Sequence, residues 1–155
     1  MTQSAPQIAV FPPLAAMIAA VGAVVMEWMA PLNLLPSGWF AMTLPGVALF
    51  VLSVAFPVAG ARAFKQADTN VDPRKPALNL VLSGPYKFTR NPMYLGMVLF
   101  QLALALTFAI DWALITAVAL WAVLHFGVVL REEAYLTDIF GQPYTDYLGQ
   151  TRRWL

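Results

Sequence analysis

The chain has 155 residues, of which 60% are hydrophobic and 11% charged, with a net charge of +1 and a mean hydropathy of +0.68. Soluble domains carry about 25% charged residues, so this composition excludes a water-covered globule and specifies an integral membrane protein that lipid surrounds on much of its surface. With no cysteine, disulfides, thiolate nucleophiles and cysteine-ligated metals are excluded too, and no metal site is expected.

The length predicts one domain over 1–155. Four apolar segments follow in order, at about 8–32, 39–64, 92–110 and 112–130, each close to the roughly 20 residues that cross about 30 Å of hydrocarbon. The expected fold class is therefore all-α and polytopic, with about four transmembrane helices and a C-terminal amphipathic interfacial segment over 131–155. The first run has no Lys or Arg before Ile8 and exceeds the 7–15 residues of a signal-peptide core, so it reads as a span. Pro31, Asn33, Pro36, Ser37 and Gly38 make a short turn after it. Pro45 and Pro57 lie inside the second segment, where kinks are expected.

All nine Lys and Arg residues lie in two regions. Arg62, Lys65, Arg74, Lys75, Lys87 and Arg90 precede segment three, and Arg131, Arg152 and Arg153 follow segment four. With four spans both regions fall on one side. The positive-inside rule makes that side cytoplasmic, with both termini there. The expected location is a bacterial or archaeal inner membrane, with the loop 65–91 and the segment 131–155 cytoplasmic.

That loop is long for a connection without regular structure. Asp72-Pro73-Arg74-Lys75-Pro76 breaks it, Leu78-Asn79-Leu80-Val81-Leu82 reads as an apolar stretch at the interface, and Ser83-Gly84-Pro85 reads as a turn. Asn91 before Pro92 predicts an N-cap with proline at the first helical position. The free N–H groups and positive dipole end of that helix, beside Arg90, suit a carboxylate or another anion. Asp111 marks a tight turn, so segments three and four form a helical hairpin. Glu132-Glu133 stands at its exit. Adjacent carboxylates on a helix point about 100° apart, so the two need not share a ligand. His125 lies seven residues earlier, on nearly the same face as Glu132. Leu136, Ile139 and Phe140, then Gly141-Gln142-Pro143, then Tyr144 and Tyr147 predict a short amphipathic helix, a break and a second helical stretch on the membrane surface.

Each feature has a simpler use. The glutamates suit a solvated helix end, Arg90 suits lipid phosphates, and Tyr86, Tyr94, Tyr144 and Tyr147 suit an interfacial aromatic belt. Their joint spacing favours a site. His125 fits a packed, hydrogen-bonded residue, Glu27 the outer headgroup region, and Gln101 an interhelical hydrogen bond.

The pattern Gly84-Pro85-Tyr86, Arg90-Asn91-Pro92-Met93-Tyr94, an apolar hairpin, then Glu132-Glu133, Phe140-Gly141 and the paired tyrosines resembles the isoprenylcysteine carboxyl methyltransferase family and its phospholipid N-methyltransferase relatives. The resemblance covers about 78–153. It implies a membrane-embedded methyltransferase that uses S-adenosyl-L-methionine and a lipophilic or amphipathic acceptor reached from the bilayer. Membrane lipids are then the surroundings, and no nucleic-acid partner is implied. Carried over by position, the cofactor contacts are Leu78, Asn79, Leu80, Val81, Tyr86, Asn91, Pro92, Met93, Tyr94, Glu132 and Glu133, with Arg90, Tyr94 and Glu132 as catalytic groups. Family members often have His where this chain has Asn91, which cannot titrate near neutrality. Val128 stands where prenylcysteine enzymes tend to carry Arg, which weighs against prenylcysteine as the acceptor.

The physical reading runs alongside. The tyrosines can stack on adenine or face a sulfonium, and a Glu can accept from ribose hydroxyls or pair with an ammonium. No G-x-G-x-x-G stretch opens a soluble dinucleotide-type site. The alternatives are a lipid-amine N-methyltransferase and a non-enzymatic small membrane subunit on the same scaffold. Neither the acceptor atom nor the oligomeric state follows from these residues.

Overall fold

A computed structural model describes residues 5–35 and 39–155. Its helices are α1 (Pro12–Met29), α2 (Trp39–Gln66), α3 (Pro92–Phe108), α4 (Trp112–Leu124), α5 (Leu130–Phe140) and α6 (Gln142–Gln150), with a 3-10 turn at Gly84–Lys87 and a π turn at His125–Val129. No strand occurs among the described residues, apart from a single parallel bridge between Thr89 and Arg152. The protein is an all-α, polytopic membrane protein. Helix α1, most of α2, and the continuous unit Trp112–Phe140 are long and apolar enough to span a membrane, and α3 is a shorter apolar helix.

Helix starts follow local chemistry. Prolines occupy the first turns of α1, α3 and α6, where their missing N–H costs nothing. Helix α3 ends at Phe108, two residues before the expected 110, because Ala109 turns left-handed at φ 52. Segment four does not stop at 130. The π turn carries α4 into α5, and Gly141 at φ 59 ends the run. The Pro36-Ser37-Gly38 part of the first turn lies outside the described residues.

Helix α2 stays one helix across Pro45 and Pro57. Its seam with α3 is lined by glycines. A Cβ on Gly96 would lie 2.5 Å from Pro57 Cδ and 2.8 Å from the Ser53 carbonyl oxygen. That carbonyl is the one to which Pro57, lacking an N–H, cannot donate. A Cβ on Gly46 would overlap Thr107, and one on Gly60 would come 3.0 Å from Met93 Cγ. Small residues let membrane helices approach closely where lipid offers no hydrophobic drive. Close packing here sets α3 against α2 and holds Met93 and Tyr94 near the loop.

Polar side chains join the other helices. Gln101 is fully buried. Its Nε2 donates to the Ala16 carbonyl of α1 at 3.1 Å, and its Oε1 accepts from the Thr116 hydroxyl of α4 at 3.3 Å. The Asp111 carboxylate accepts from the Leu34 and Leu35 N–H groups at 2.7 and 2.9 Å. Glu27 Oε2 accepts from the Trp112 N–H at 3.2 Å, at the start of α4. Glu27 thus faces a helix N-terminus rather than headgroups alone. The α1–α2 turn and the α3–α4 turn therefore sit together at one end of the bundle. The loop 65–91 and the C-terminal segment meet at the other.

Candidate functional site

Helix α3 begins at Pro92 with Asn91 in the cap position, but the Asn91 side chain caps nothing. Its Nδ2 donates instead to the Arg153 carbonyl at 2.9 Å, and the Thr89 hydroxyl donates to the same oxygen at 3.3 Å. The Arg90 N–H donates to the Arg152 carbonyl at 2.9 Å. The C-terminal tail is therefore laced to the start of α3.

Opposite it, the two glutamates part company. Glu132 Oε1 accepts from the Tyr94 hydroxyl at 2.8 Å. Glu133 pairs with Arg90, whose Nη1 lies 3.0 Å from Oε1, and with Arg153, whose Nε and Nη2 lie 2.9 and 2.8 Å from Oε1 and Oε2. The Arg90 and Glu133 side chains are only 12% and 13% exposed, a depth at which a lone charge would be costly. Arg90 Nε is buried and makes no hydrogen bond among the described residues.

His125 does not join them. A π turn takes an extra residue, so side chains beyond it shift by about 100° relative to an unbroken α-helix. Glu132 turns to Tyr94 while His125 stacks on Trp121, with ring centroids 5.2 Å apart, and its Nδ1 accepts from Trp154 Nε1 at 3.3 Å. The seven-residue spacing does not place them in one polar cluster. The turn also presents the Gly127 carbonyl to the Ala9 N–H at 2.9 Å, and Arg131 donates to the Gln7 carbonyl at 3.0 Å. Both contacts hold the N-terminal segment across α5.

These elements line a cleft with about 870 Å³ of free space, part of it open to solvent. Asn79, Leu80 and Val81 of the loop line it, as do Tyr86, Arg90, Asn91, Pro92, Met93, Tyr94, Glu132 and Glu133. Leu78 is 55% exposed and lies outside the wall. The loop is shaped by its own side chains. Thr69 Oγ1 accepts from the Leu78 and Asn79 N–H groups at 2.9 and 3.2 Å, and Asn79 Nδ2 donates to the Ala67 carbonyl at 2.8 Å.

Helix α6 adds Tyr144 and Tyr147 to the wall, with rings 6.0 Å apart. The Tyr147 hydroxyl donates to the Tyr86 carbonyl at 2.7 Å. Burial pushes the Tyr147 phenol up to about 12. It pushes those of Tyr86 and Tyr144 higher still, helped by the charges of Glu132 and Glu133 respectively. All three remain neutral phenols near pH 7. Sequence reasoning did not assign Pro6, Asp72, Lys75 and Tyr135 to the site, although they also line the cleft. Asp72 is drawn down to about 2 by its hydrogen bond to Arg74. The Tyr135 hydroxyl accepts from the Ala77 N–H at 3.1 Å, an i+3 signal from Glu132 that only the fold makes visible.

The family described as phospholipid methyltransferase matches residues 41–143. The chain belongs to the phospholipid methyltransferase family. The match takes in Arg90, Tyr94, Glu132 and Glu133, and stops before Tyr144, Tyr147 and Arg153. Comparison with curated proteins and with solved structures returns no match. Membership implies a membrane methyltransferase of the phospholipid or isoprenylcysteine type. In this member of the phospholipid methyltransferase family, the Arg-Asn-Pro-Met-Tyr start of α3 and the glutamate pair of α5 meet at one end of the bundle.

Proposed function

We propose that the chain transfers a methyl group from S-adenosylmethionine to an amphipathic lipid acceptor, in the cleft at the cytoplasmic ends of the helices. The observation that carries this reading is the pairing of opposite demands in one cleft. Arg90 lines the cleft, and its buried Nε makes no hydrogen bond among the described residues. Nearby, Glu132 accepts from the Tyr94 hydroxyl and from no cation among the described residues. A ligand with a carboxylate and cationic groups meets both demands. The neutral rings of Tyr86, Tyr144 and Tyr147 suit adenine or a sulfonium.

When bound, S-adenosylmethionine supplies a methyl group already activated on a sulfonium, which displacement by the acceptor converts to a thioether. The protein then has to bind, orient and exclude water rather than form a covalent intermediate. Arg90 would hold the carboxylate. Glu132, kept in place by Tyr94, would hold ribose hydroxyls or the ammonium. Asn91 is committed to Arg153 and serves as a fastening rather than a base. The acceptor enters sideways from the inner leaflet, its apolar body kept among the helices. The family description favours a second, narrower reading, in which the acceptor atom is a lipid amine.

Two measurements test this. Titration of the purified protein in detergent with S-adenosylhomocysteine should give saturable binding, and no binding would refute the cofactor assignment. In proteoliposomes, lipid-tailed acceptors should outperform short water-soluble analogues, because each buried CH₂ contributes about 0.8 kcal/mol. Equal rates would refute lateral entry.

A further inference from the structure

Arg153 lies beyond the stretch that the family matches and outside the wall of the cleft. It nevertheless takes both oxygens of Glu133, through Nε at 2.9 Å and Nη2 at 2.8 Å. Arg90 Nη1 lies 3.0 Å from Oε1 of the same carboxylate. Two guanidinium groups share one carboxylate, so the trio carries a formal net charge of +1 beside the cleft. One of its buried donors, Arg90 Nε, has no hydrogen-bond partner among the described residues.

A lone arginine facing a lone carboxylate tends to close two parallel hydrogen bonds, which neutralises it. Here Arg153 already occupies both Glu133 oxygens, and its place does not depend on Glu133 alone. The Arg153 carbonyl accepts from Asn91 Nδ2 at 2.9 Å, the Arg152 carbonyl accepts from the Arg90 N–H at 2.9 Å, and Trp154 Nε1 donates to His125 Nδ1 at 3.3 Å.

We propose that Arg153 is a positioning residue for ligand binding. By sharing Glu133, it leaves Arg90, which lines the cleft, only partly neutralised and able to attract a carboxylate group bound there. This rests on the reading that the cleft takes S-adenosylmethionine, whose amino-acid carboxylate is the anionic group.

The test compares two ligands on the full-length protein in detergent. S-adenosylhomocysteine carries the amino-acid carboxylate, and 5′-methylthioadenosine carries the adenosine and thioether without it. Arg153→Ala should weaken S-adenosylhomocysteine about tenfold or more, the effect of one charge-assisted hydrogen bond. It should leave 5′-methylthioadenosine within about twofold, since this ligand makes no demand on Arg90. Arg153→Lys should recover part of the loss. The double variant Arg90→Ala/Arg153→Ala should bind no worse than Arg90→Ala alone, because Arg153 acts through Arg90. If Arg153→Ala does not fold, Arg153→Gln carries the same comparison with the tail's bulk retained. Equal weakening of both ligands would mean that Arg153 merely fastens the tail, and would overturn the proposal. Unchanged S-adenosylhomocysteine affinity in a variant of a wild type that binds it would overturn the proposal alone. A wild type that binds neither ligand would remove the cofactor reading and this inference together.

Discussion

The Tyr94 hydroxyl donates a 2.8 Å hydrogen bond to Glu132 Oε1, joining α3 to α5 across 38 positions of sequence. The next residue, Glu133, is held by Arg90 and Arg153 instead. Two adjacent carboxylates thus meet different partners, one a neutral phenol and the other a pair of cations. On the proposed reading, this division would let one cleft meet both the positive and the negative parts of a zwitterionic ligand.

Glu132→Ala should weaken S-adenosylhomocysteine binding roughly ten- to hundredfold, the equivalent of a buried charged hydrogen bond of about 1.5–3 kcal/mol. Glu27→Ala should leave that affinity unchanged and lower thermal stability instead, because Glu27 accepts from the Trp112 N–H at the far end of the bundle. Helix-start acceptors of this kind contribute about 0.5–2 kcal/mol. Calorimetric titration and melting of both variants check this. Equal, small binding losses would reduce Glu132 to a polar helix end.

Gly96→Ala should destabilise the fold by about 1–3 kcal/mol, the usual cost of overpacking, since its Cβ would meet the ring of Pro57 and the Ser53 carbonyl. Gly22→Ala is the control, because its Cβ would meet nothing within 4 Å. Unfolding of the two variants in mixed micelles should separate them, and matching midpoints would show that the α2–α3 seam yields.

Stability should fall as pH rises between 10, the ordinary tyrosine value, and about 12, that of Tyr147. In this window the unfolded chain has released a phenolic proton that the folded chain keeps, so it binds fewer protons and the slope is negative. Each such group contributes up to about 1.4 kcal/mol per pH unit. Tyr147→Phe should flatten part of that slope in alkaline melting curves. It should also cost the hydrogen bond to the Tyr86 carbonyl at every pH.

Reporter fusions after Leu32 and after Asp111 should read as external, with the termini and the loop 65–91 internal, because every Lys and Arg lies in the loop, at its borders or beyond α4. The two turns are joined by the Asp111 carboxylate on the Leu34 and Leu35 N–H groups, so they must read alike. An internal signal at either position would sink the four-span orientation.

Composition alone settled that this is a helical membrane protein, because apolar runs near 20 residues have few other stable forms in lipid. Local chemistry also set the helix edges at Pro92 and Gly141, and the basic residues gathered the two motif regions at one end. Gln101 read correctly as an interhelical tie, since a lone amide in an apolar helix must find a partner. Tertiary structure decided the rest. The π turn, invisible in the hydrophobic pattern, rotated Glu132 away from His125. Asn91 looked like a cap by position and became a fastening for the tail. Arg153 entered the sequence reading only in the count of basic residues that sets orientation, and the fold pairs it with Glu133. The last two are pairings between residues 62 and 20 positions apart. Sequence periodicity records which face of a helix is apolar. Which polar groups meet depends on how helices pack and on the register between them, and a single inserted residue in one turn is enough to change it.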